Sequence, residues 1–353
     1  MLESLTKQLR APQALSREQV RVAIGALTEG QVTVESKADF LAALAVKGET
    51  VEEIAAFAHE LRERSIPPPL DGATRAREIL DVCGTGGDKL GTFNVSTAVA
   101  LVAAAAGVTV AKHGNRAVTS QSGSADVLEA LGVRIDLEPE ETARWLRERG
   151  FAFFFAPKFH PAFKHIGPAR KLCAERGQRT IFNFLGPLLN PARPSAQLVG
   201  VPVPQLCEPM GQVLQALGVR RGLVVCGAVS SDGPVEGRPF LDELSTLGQT
   251  TLAEYYQDRA FATSTMEAEN FPLQRATLAD LQGGDRATSA GIVRALLEGR
   301  DRGPKRDLLL LNSAAALFVA GRAPSISEGW ELAAKVIDGG AARAKLQELT
   351  QPM

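Results

Sequence analysis

The sequence predicts an α/β protein built on a mostly parallel sheet flanked by helices, with a smaller all-helical domain. From Ile79 onward, short apolar runs typical of buried strands alternate with segments of helical periodicity. Repeated β–α units of this kind favour a parallel sheet whose faces are covered by helices. Before about Leu70, the chain carries helical patterns alone. A chain of 353 residues, of which 45% are hydrophobic, is long enough for two such domains.

The composition argues against several classes of protein. The formal net charge is −1, so no charge excess favours general binding to nucleic acid or to an anionic membrane. The four cysteines show no C-x-x-C spacing and fit reduced thiols rather than disulfides or a zinc site. The N-terminus has no apolar signal core, and no apolar run is long enough to span a bilayer. We therefore expect a cytoplasmic protein without nucleic-acid or membrane partners.

The N-terminal region contains four predicted short helices. Two of them begin at capping-box spacings, Ser16 with Gln19 and Thr50 with Glu53. Each helix has one apolar face, and short amphipathic helices bury little surface by themselves. These helices therefore need a partner surface, either from later in the chain or from a second subunit.

A glycine-rich turn at residues 81–97 carries the strongest functional signal. An apolar strand pattern precedes the turn, and an alanine-rich helix pattern follows it. Glycine lets backbone N–H groups approach a ligand closely, and the start of a helix favours an anion. The segment therefore has the construction of a phosphate cradle, with a plain capped turn as the alternative. The residues concerned are Gly84, Gly86, Gly87, Gly91, Asn94, Ser96 and Thr97.

Two better-known phosphate-binding patterns fail in this sequence. The dinucleotide fingerprint G-x-G-x-x-G breaks at Lys89, and G-x-x-x-x-G-K-[ST] does not occur. The predicted ligand is therefore neither a nicotinamide cofactor nor a nucleotide bound by a P-loop.

The loop after the second predicted strand, Val108–Ala111, combines cations, hydroxyls and backbone donors. A multiply anionic, phosphorylated ligand requires these groups. Ligands of parallel sheets bind at the carboxyl ends of the strands, where the glycine-rich turn also lies. The shared edge favours binding over the alternative of a polar surface loop. The polar residues of the loop are Lys112, His113, Asn115, Arg116, Thr119, Ser120, Ser122 and Ser124.

The remaining patterns continue the alternation of strands and helices. We expect a strand at residues 133–137 and then a helix that begins at Pro139 and ends at Gly150. Residues 180–192 are predicted as a proline-rich loop and residues 228–238 as a surface loop. The C-terminal part is predicted to form two helices.

Spacing alone favours no chemical role for two other groups. Arg170 lies among further cations of a predicted helix, a pattern typical of a solvated face. Asp242 and Glu243 form an adjacent carboxylate pair, which is ordinary at protein surfaces. Such a pair can also hold Mg²⁺ together with substrate phosphates, so a nearby pyrophosphate would favour a metal site.

Five segments stand in order along the chain: GTGGDKLGTFNVST, KHGNRAVTSQSGSADVLEALG, HPAFKHIGPAR, TIFNFLGPLLNP and LDELS. Together they resemble the anthranilate phosphoribosyltransferases, which belong to the nucleoside-phosphorylase-like phosphoribosyltransferases. The resemblance implies a helical domain of residues 1–71, joined by helices of about 161–187. It implies an α/β domain of residues 72–160 and 188–353 that binds phosphoribosyl pyrophosphate, and a homodimer formed through the helical domain.

The resemblance also implies the site residues. Anthranilate would contact Gly84, Asn115, Arg170 and His160. Arg170, His113 and Asn115 would serve catalysis. Ser96, Asp242 and Glu243 would hold two Mg²⁺ ions. Phosphoribosyl pyrophosphate would be held by Gly84, Gly87, Asp88, Thr92, Asn94, Val95, Ser96, Thr97, Lys112, His113, Gly114, Asn115, Arg116, Ala117, Val118, Thr119, Ser120 and Ser124.

The implied reaction transfers the phosphoribosyl group to the amine of anthranilate and releases pyrophosphate, as a step of tryptophan biosynthesis. Mg²⁺ would neutralise charge on the leaving pyrophosphate. An aromatic amine is unprotonated at neutral pH, so positioning matters more than a strong base. Arg170 would hold the anthranilate carboxylate through two bonds. The alternatives are a pyrimidine nucleoside phosphorylase, which shares the fold, and a non-catalytic nucleic-acid-binding relative, which the near-zero net charge disfavours.

The sequence departs from the family pattern at four places. Lys89 stands where the family often has glycine, and Cys226 replaces a common histidine. The link that precedes the carboxylate pair is expanded at residues 228–240. The late segments FPLQ and ATSAG also differ from the usual family patterns. The expanded link bears most directly on the second Mg²⁺ site.

Overall fold

The computed structural model describes residues 1–117, 121–230, 239–257 and 259–352. The helices are α1 (Leu2–Arg10), α2 (Arg17–Thr28), α3 (Val34–Lys47), α4 (Val51–Glu63), α5 (Gly72–Arg75), α6 (Val95–Ala105), α7 (Ser124–Ala130), α8 (Pro139–Arg149), α9 (Ala156–Phe159), α10 (Gly167–Glu175), α11 (Phe182–Leu185), α12 (Cys207–Ala216), α13 (Arg286–Leu297), α14 (Pro304–Val319), α15 (Ile326–Asp338) and α16 (Ala341–Thr350). The strands are β1 (Ile79–Gly84), β2 (Thr109–Gly114), β3 (Phe151–Phe155), β4 (Ala196–Gly200), β5 (Arg221–Ala228), β6 (Phe240–Leu241), β7 (Thr250–Tyr256) and β8 (Arg259–Met266). Short 3₁₀ helices cover Pro161–His165, Gly186–Leu188, Pro204–Leu206, Ala268–Asn270 and Leu278–Leu281.

The central sheet has the strand order β3-β2-β1-β4-β5-β7-β8, and β6 pairs with β5. Strands β1 to β5 run parallel, whereas β7 and β8 extend the sheet in antiparallel orientation. The predicted α/β architecture, with its mostly parallel sheet and N-terminal helices, is therefore confirmed. The carboxyl ends of β1 and β2 lie side by side, as their parallel pairing requires.

Two hydrophobic cores lie on opposite faces of the sheet. One packs α6 and α14 against β1 and β2. The other joins the N-terminal helices to α12 and to the opposite face of the strands. No helix in the described ranges combines the length and apolar character needed to cross a membrane.

The N-terminal helices find a partner surface later in the chain. Helix α3 packs on α10, and the α10 residue Ala169 is buried in the same core as the N-terminal helices. The buried ammonium of Lys37 donates to the carbonyls of Glu29 (2.7 Å) and His165 (3.0 Å). Residues after Pro161 therefore complete the helical part, while the division into two domains stays a prediction.

The predicted helix ends are present. Both capping boxes form, with Ser16 and Thr50 at the starts of α2 and α4. Helix α8 begins at Pro139 and ends at Gly150, whose φ of +66° is the left-handed conformation that glycine adopts readily.

Two predictions of local structure were wrong. Residues 133–137 form no strand, although Val133 and Ile135 are buried, because these side chains pack without a neighbouring strand to pair with the backbone. Residues 180–192 contain α11 and a 3₁₀ turn rather than a continuous loop. The two helices predicted in the C-terminal part are present as α14 and α15, and α16 follows them without having been predicted.

The buried pair of Lys47 and Glu53 should support the helical part strongly. The Glu53 carboxylate lies 2.6 Å from the ammonium and also accepts from the amides of Leu15 and Thr50, both at 2.9 Å. We expect Glu53→Ala to lower the free energy of unfolding by about 3–5 kcal/mol, because it leaves a buried cation without its partner. Urea unfolding followed by circular dichroism measures the change.

Glu18→Ala is the matched control. Glu18 pairs with Arg21 at 2.7 Å, but both side chains are largely exposed. This substitution should leave the urea midpoint unchanged. Equal midpoints for the two variants would contradict the structural role of the buried pair.

Candidate active site

A cavity of about 860 Å³ opens at the carboxyl ends of β1 and β2. Its walls come from the turn after β1, the start of α6, the loop after β2, and parts of residues 156–189. Arg170, Asp242 and Glu243 complete the lining. The fold therefore brings the glycine-rich turn together with the two groups for which spacing alone favoured no role.

Gly84 ends β1 where the backbone passes the Asp242 side chain. A Cβ atom on Gly84 would lie 2.4 Å from Oδ2 of Asp242, so a larger residue would collide with the carboxylate. The amide of Gly86 donates to the same oxygen at 2.7 Å. Lys89 has a φ of +57°, the left-handed region that non-glycine residues rarely adopt. A glycine at position 89 would therefore fit this turn with less strain.

The start of α6 lines the cavity through residues 94–97. The side chain of Asn94, the N-cap residue, makes no capping bond to the helix. It bonds across to Ser122 instead, donating to the carbonyl oxygen (3.2 Å) and accepting from the hydroxyl (3.0 Å). The Ser96 amide donates to the carboxylate of Glu243. A helix start of this kind favours an anionic ligand.

Lys112 lies buried beneath the cradle. Its Nζ donates to the carbonyl of Val82 (2.7 Å) and to Oγ of Ser96 (3.3 Å). Burial lowers the pKa of Lys112, and the negative charges of Asp81 and Glu243 act in the opposite sense. Asp81 is itself fully buried, and burial raises its pKa to about 6. The ammonium therefore ties β1, β2 and α6 together at the floor of the site.

Asp242 and Glu243 place two carboxylates beside the cradle. Burial raises the pKa of Asp242 to about 7, and the charge of Asp88 adds to the effect. Burial likewise raises the pKa of Glu243 well above its usual range, with the charge of Asp242 next. Carboxylates held so close together favour a cation between them.

The donor set fits Mg²⁺ when a phosphorylated ligand completes it. No three His, Cys, Asp or Glu side chains in the described part of the chain form a full metal-ligand group. Mg²⁺ keeps several waters and commonly takes one or two carboxylates together with substrate phosphates. Asp242, Glu243 and the Ser96 hydroxyl match that requirement.

A row of rings lines the other half of the cavity. The His113 and His160 rings meet edge to face at 5.4 Å, and His160 meets Phe163 at 5.5 Å. Phe163 in turn meets Phe182 at 5.6 Å. The guanidinium of Arg170 lies 5.3 Å from the centre of the Phe182 ring. The row therefore forms a largely apolar wall of edge-to-face rings that ends at a cation.

Both histidines of this wall are neutral donors. His160 Nε2 lies 2.9 Å from the carbonyl of Leu189, which can only accept, so this nitrogen carries the proton. Burial lowers the pKa of His160 to about 4. Burial also lowers the pKa of His113 to about 3, with the nearby His160 ring acting in the same direction.

Arg170 has no carboxylate partner among the described residues, although it faces the cavity. Partial desolvation by the surrounding walls lowers its pKa. Arg170 is exposed to solvent, as the surface interpretation predicted, but it also lines the cavity with its guanidinium over the Phe182 ring. A guanidinium in this position is available to a ligand carboxylate.

Most of the residues that the resemblance implies line the cavity. Gly87 and Asp88 lie just outside the lining, and the charge of Asp88 acts on Asp242 from there. Arg116 contacts the cavity but directs its guanidinium to Asp126 (3.1 Å) and Glu129 (2.9 Å). Val118, Thr119 and Ser120 lie outside the described residues. The lining members are Gly84, Thr92, Asn94, Val95, Ser96, Thr97, Lys112, His113, Gly114, Asn115, Arg116, Ala117, Ser124, His160, Arg170, Asp242 and Glu243.

Sequence reasoning missed several residues that shape the site. Phe163 and Phe182 form part of the apolar wall, and Asp81 and Asn190 form a buried bond beneath it (2.9 Å). A charged residue inside the apolar run of β1 was the available signal for Asp81. No local pattern marks the two phenylalanines, because their role depends on α10 and α11 packing together.

The comparisons with known proteins agree with this geometry. The family described as "Glycosyl transferase family, a/b domain" matches residues 76–343, and its "helical bundle domain" matches residues 3–65. The anthranilate phosphoribosyltransferase of Thermomicrobium roseum is 46% identical over 351 residues, which cover 99% of this chain and 96% of that protein. The chain belongs to the anthranilate phosphoribosyltransferase family.

Solved structures of this family have the same fold. The anthranilate phosphoribosyltransferase of Thermus thermophilus aligns with a TM-score of 0.86 at 41% identity, over 98% of each chain. The enzyme of Saccharomyces cerevisiae, solved in complex with PRPP and Mg, aligns with a TM-score of 0.85 at 28% identity. That alignment covers 99% of this chain and 96% of the yeast chain.

The neutral His160 should make the folded protein less stable in acid. Its folded pKa of about 4 lies below the value of about 6.5 expected for unfolded chain. Between these values the unfolded state binds the extra proton, so stability is full above pH 6.5 and falls as the pH falls. We expect a loss of about 1.4 kcal/mol per pH unit from this group. His160→Gln should flatten the slope of unfolding free energy between pH 6.5 and 4.5.

The readout is urea unfolding at several pH values for the wild type and the variant. Other titrating groups, including Asp81, are common to both proteins and cancel in the difference. His59→Gln is the control for replacing a histidine, because the His59 side chain is 43% exposed and lies outside the cavity lining. Parallel curves for wild type and His160→Gln would contradict a neutral His160.

Proposed function

We propose that this chain transfers the phosphoribosyl group of 5-phosphoribosyl 1-pyrophosphate to the amine of anthranilate. The products are N-(5-phosphoribosyl)anthranilate and pyrophosphate, in a step of tryptophan biosynthesis. One observation carries this function: a single cavity joins a backbone cradle suited to phosphates with an apolar wall that ends at Arg170. A diphosphorylated sugar and an aromatic carboxylate fit the two halves.

The donor half holds the phosphates through backbone and buried charge. The turn after β1 and the start of α6 line this half, and Lys112 supplies positive charge beneath them. Asn115 and Ser124 line the same half from the loop after β2. Catalysis here consists of positioning and charge stabilisation, since the reaction needs little covalent chemistry from the protein.

Ser96, Asp242 and Glu243 would hold Mg²⁺ on the donor, and we propose two ions. Bound Mg²⁺ supplies positive charge that stabilises the leaving pyrophosphate. The two carboxylates lie close together and are buried, so they favour a cation. The Gly86 amide holds the Asp242 side chain in place.

The acceptor half positions anthranilate. Arg170 binds its carboxylate, while the rings of Phe163 and Phe182 pack against its benzene ring. Because His113 and His160 are neutral, neither ring protonates the amine of anthranilate, which stays available as the nucleophile. The aromatic amine then attacks C1 of the ribose from the face opposite to the departing pyrophosphate.

Arg170 also weighs against the alternative of a pyrimidine nucleoside phosphorylase. A nucleobase carries no carboxylate, so a cation at the end of the aromatic wall would stay without its partner. Inorganic phosphate could occupy the donor half in either enzyme, so the acceptor half discriminates between them.

We further propose that residues 1–71 and about 161–187 form a helical domain through which two copies of this cytoplasmic enzyme pair. Val46, on α3, is 86% exposed. The support for this pairing is the family resemblance, and Val46 is one apolar side chain that a second copy would cover.

Turnover of anthranilate tests the proposed function directly. Purified protein with Mg²⁺, phosphoribosyl pyrophosphate and anthranilate should consume the fluorescence of anthranilate. Removal of Mg²⁺ with EDTA should abolish the signal, because the pyrophosphate then leaves without charge stabilisation. Cleavage of pyrimidine nucleosides by phosphate, with anthranilate unchanged, would contradict the proposal.

Arg170→Ala should raise the KM for anthranilate about 10- to 100-fold, because a charged hydrogen bond is worth about 1.5–3 kcal/mol. The KM for phosphoribosyl pyrophosphate should stay within about twofold, since Arg170 lies in the acceptor half. Arg170→Lys should lose part of this affinity, because an ammonium cannot reproduce the two-bonded contact.

Arg176→Ala is the control for general charge effects. Arg176 follows the same helix, α10, but pairs with Asp39 at 3.2 Å on the surface. Both KM values should match the wild type. Equal rises in both KM values for Arg170→Ala would reject the carboxylate-binding role.

A further inference from the structure

Consecutive carbonyls at residues 187–189 each accept a hydrogen bond from a buried side chain. Gln197 Nε2 donates to Pro187 (3.0 Å), and Arg62 Nε donates to Leu188. His160 Nε2 donates to Leu189 (2.9 Å). The carbonyl just before them, on Gly186, bonds to the His113 ring. We call residues 186–189 the clamped segment.

The donors come from different parts of the fold. Arg62 is the last but one residue of α4, Gln197 lies on β4, and His113 lies on β2. Within the clamped segment, a 3₁₀ turn makes a single long backbone bond, from the Leu189 amide to the Gly186 carbonyl at 3.3 Å. Buried carbonyls need hydrogen-bond donors, and here side chains donate to the carbonyls that have no backbone partner within the turn. Tertiary contacts, rather than local helix formation, therefore fix the segment.

The clamped segment forms part of the wall of the acceptor half. Gly186, Pro187 and Leu189 line the cavity directly. Phe182, which faces Arg170, stands one turn earlier on α11. Arg62 and Gln197 lie behind this wall, 6% and 0% exposed, and are absent from the cavity lining. They can therefore act on the acceptor through the segment alone.

Arg62 is an expensive residue to bury for stability alone. Desolvation lowers its pKa to about 10, and its Nη2 has no hydrogen-bond partner among the described residues. Replacing a buried charge with an apolar side chain of similar volume is often neutral or stabilising. Methionine at position 62 could thus fill the same space and serve a purely structural role. It could not donate the hydrogen bond to the Leu188 carbonyl.

We propose that Arg62 and Gln197 are positioning residues for the acceptor: they hold the clamped segment in the shape that receives anthranilate. Through Arg62, helix α4 of the N-terminal part sets the geometry of a wall built on the α/β part. This proposal rests on the proposed function, and its test separates the two.

The kinetic arm of the test uses Arg62→Met and Gln197→Met. Loss of one buried hydrogen bond to the wall should raise the KM for anthranilate about tenfold, the equivalent of about 1.4 kcal/mol. The KM for phosphoribosyl pyrophosphate should stay within about twofold. Arg62→Lys, which keeps a cationic donor, should recover part of the loss. An unchanged anthranilate KM in folded Arg62→Met and Gln197→Met, or equal rises in both KM values, would overturn the proposal.

Arg306→Met is the matched control. Arg306 is as buried as Arg62, at 7% exposure, and also has a nitrogen without a partner among the described residues. Arg306 lies on α14 and pairs with Asp338 of α15 at 2.9 Å, and neither residue lines the cavity. Its replacement should leave both KM values unchanged, which separates the loss of a buried arginine from the loss of the clamp.

Hydrogen–deuterium exchange of residues 182–192 provides the second arm, which needs no turnover. Exchange should become faster in Arg62→Met and Gln197→Met but stay at the wild-type rate in Arg306→Met. Unchanged exchange in all variants would overturn the clamp. Faster exchange together with a wild-type protein that does not consume anthranilate would refute the proposed function and support the clamp. If Arg62→Met fails to fold, Gln197→Met, which removes no charge, decides the outcome.

Discussion

The buried ammonium of Lys112 is the contact on which the donor half of the site depends. It ties the carbonyl of Val82 to the hydroxyl of Ser96, and so fixes the end of β1 against the start of α6. Asp81 offsets its charge and also accepts from the His113 amide (3.3 Å) and from Asn190. A buried charge is tolerated when it is this well surrounded by partners. The cradle for phosphates therefore takes its shape from buried groups behind it as well as from the residues that line it.

The two halves of the cavity differ in polarity. The donor half is polar and built on backbone donors, a buried cation and two carboxylates suited to a metal. The acceptor half is a row of rings in which the histidines are neutral and Arg170 supplies the charge. This division suits a reaction that separates charge on one side while an uncharged amine approaches from the other. The reacting carbon would lie at the boundary.

Local signals predicted much of the fold and the parts of the site that follow the chain. Capping boxes at Ser16 and Thr50, the Pro139 start and the Gly150 end depend on neighbouring residues, and all are present. The strand predicted at residues 133–137 failed because alternating burial does not require a pairing partner. Arg170 is a surface cation, but its place over a phenylalanine ring depends on how α10 and α11 pack together. The donors to the clamped segment had no local signal, because each meets its carbonyl across a different tertiary contact.

The dispersal of these donors has a consequence for synthesis of the molecule on the ribosome. The wall that faces the acceptor needs side chains from positions as far apart as 62 and 197, drawn from helix α4 and strand β4. A nascent chain can complete its N-terminal helices early, yet it possesses no acceptor pocket until β4 has emerged and docked. Because the pocket is absent during the early stages of folding, anthranilate cannot stabilise them. Binding of anthranilate therefore requires that the helical and sheet parts have already assembled.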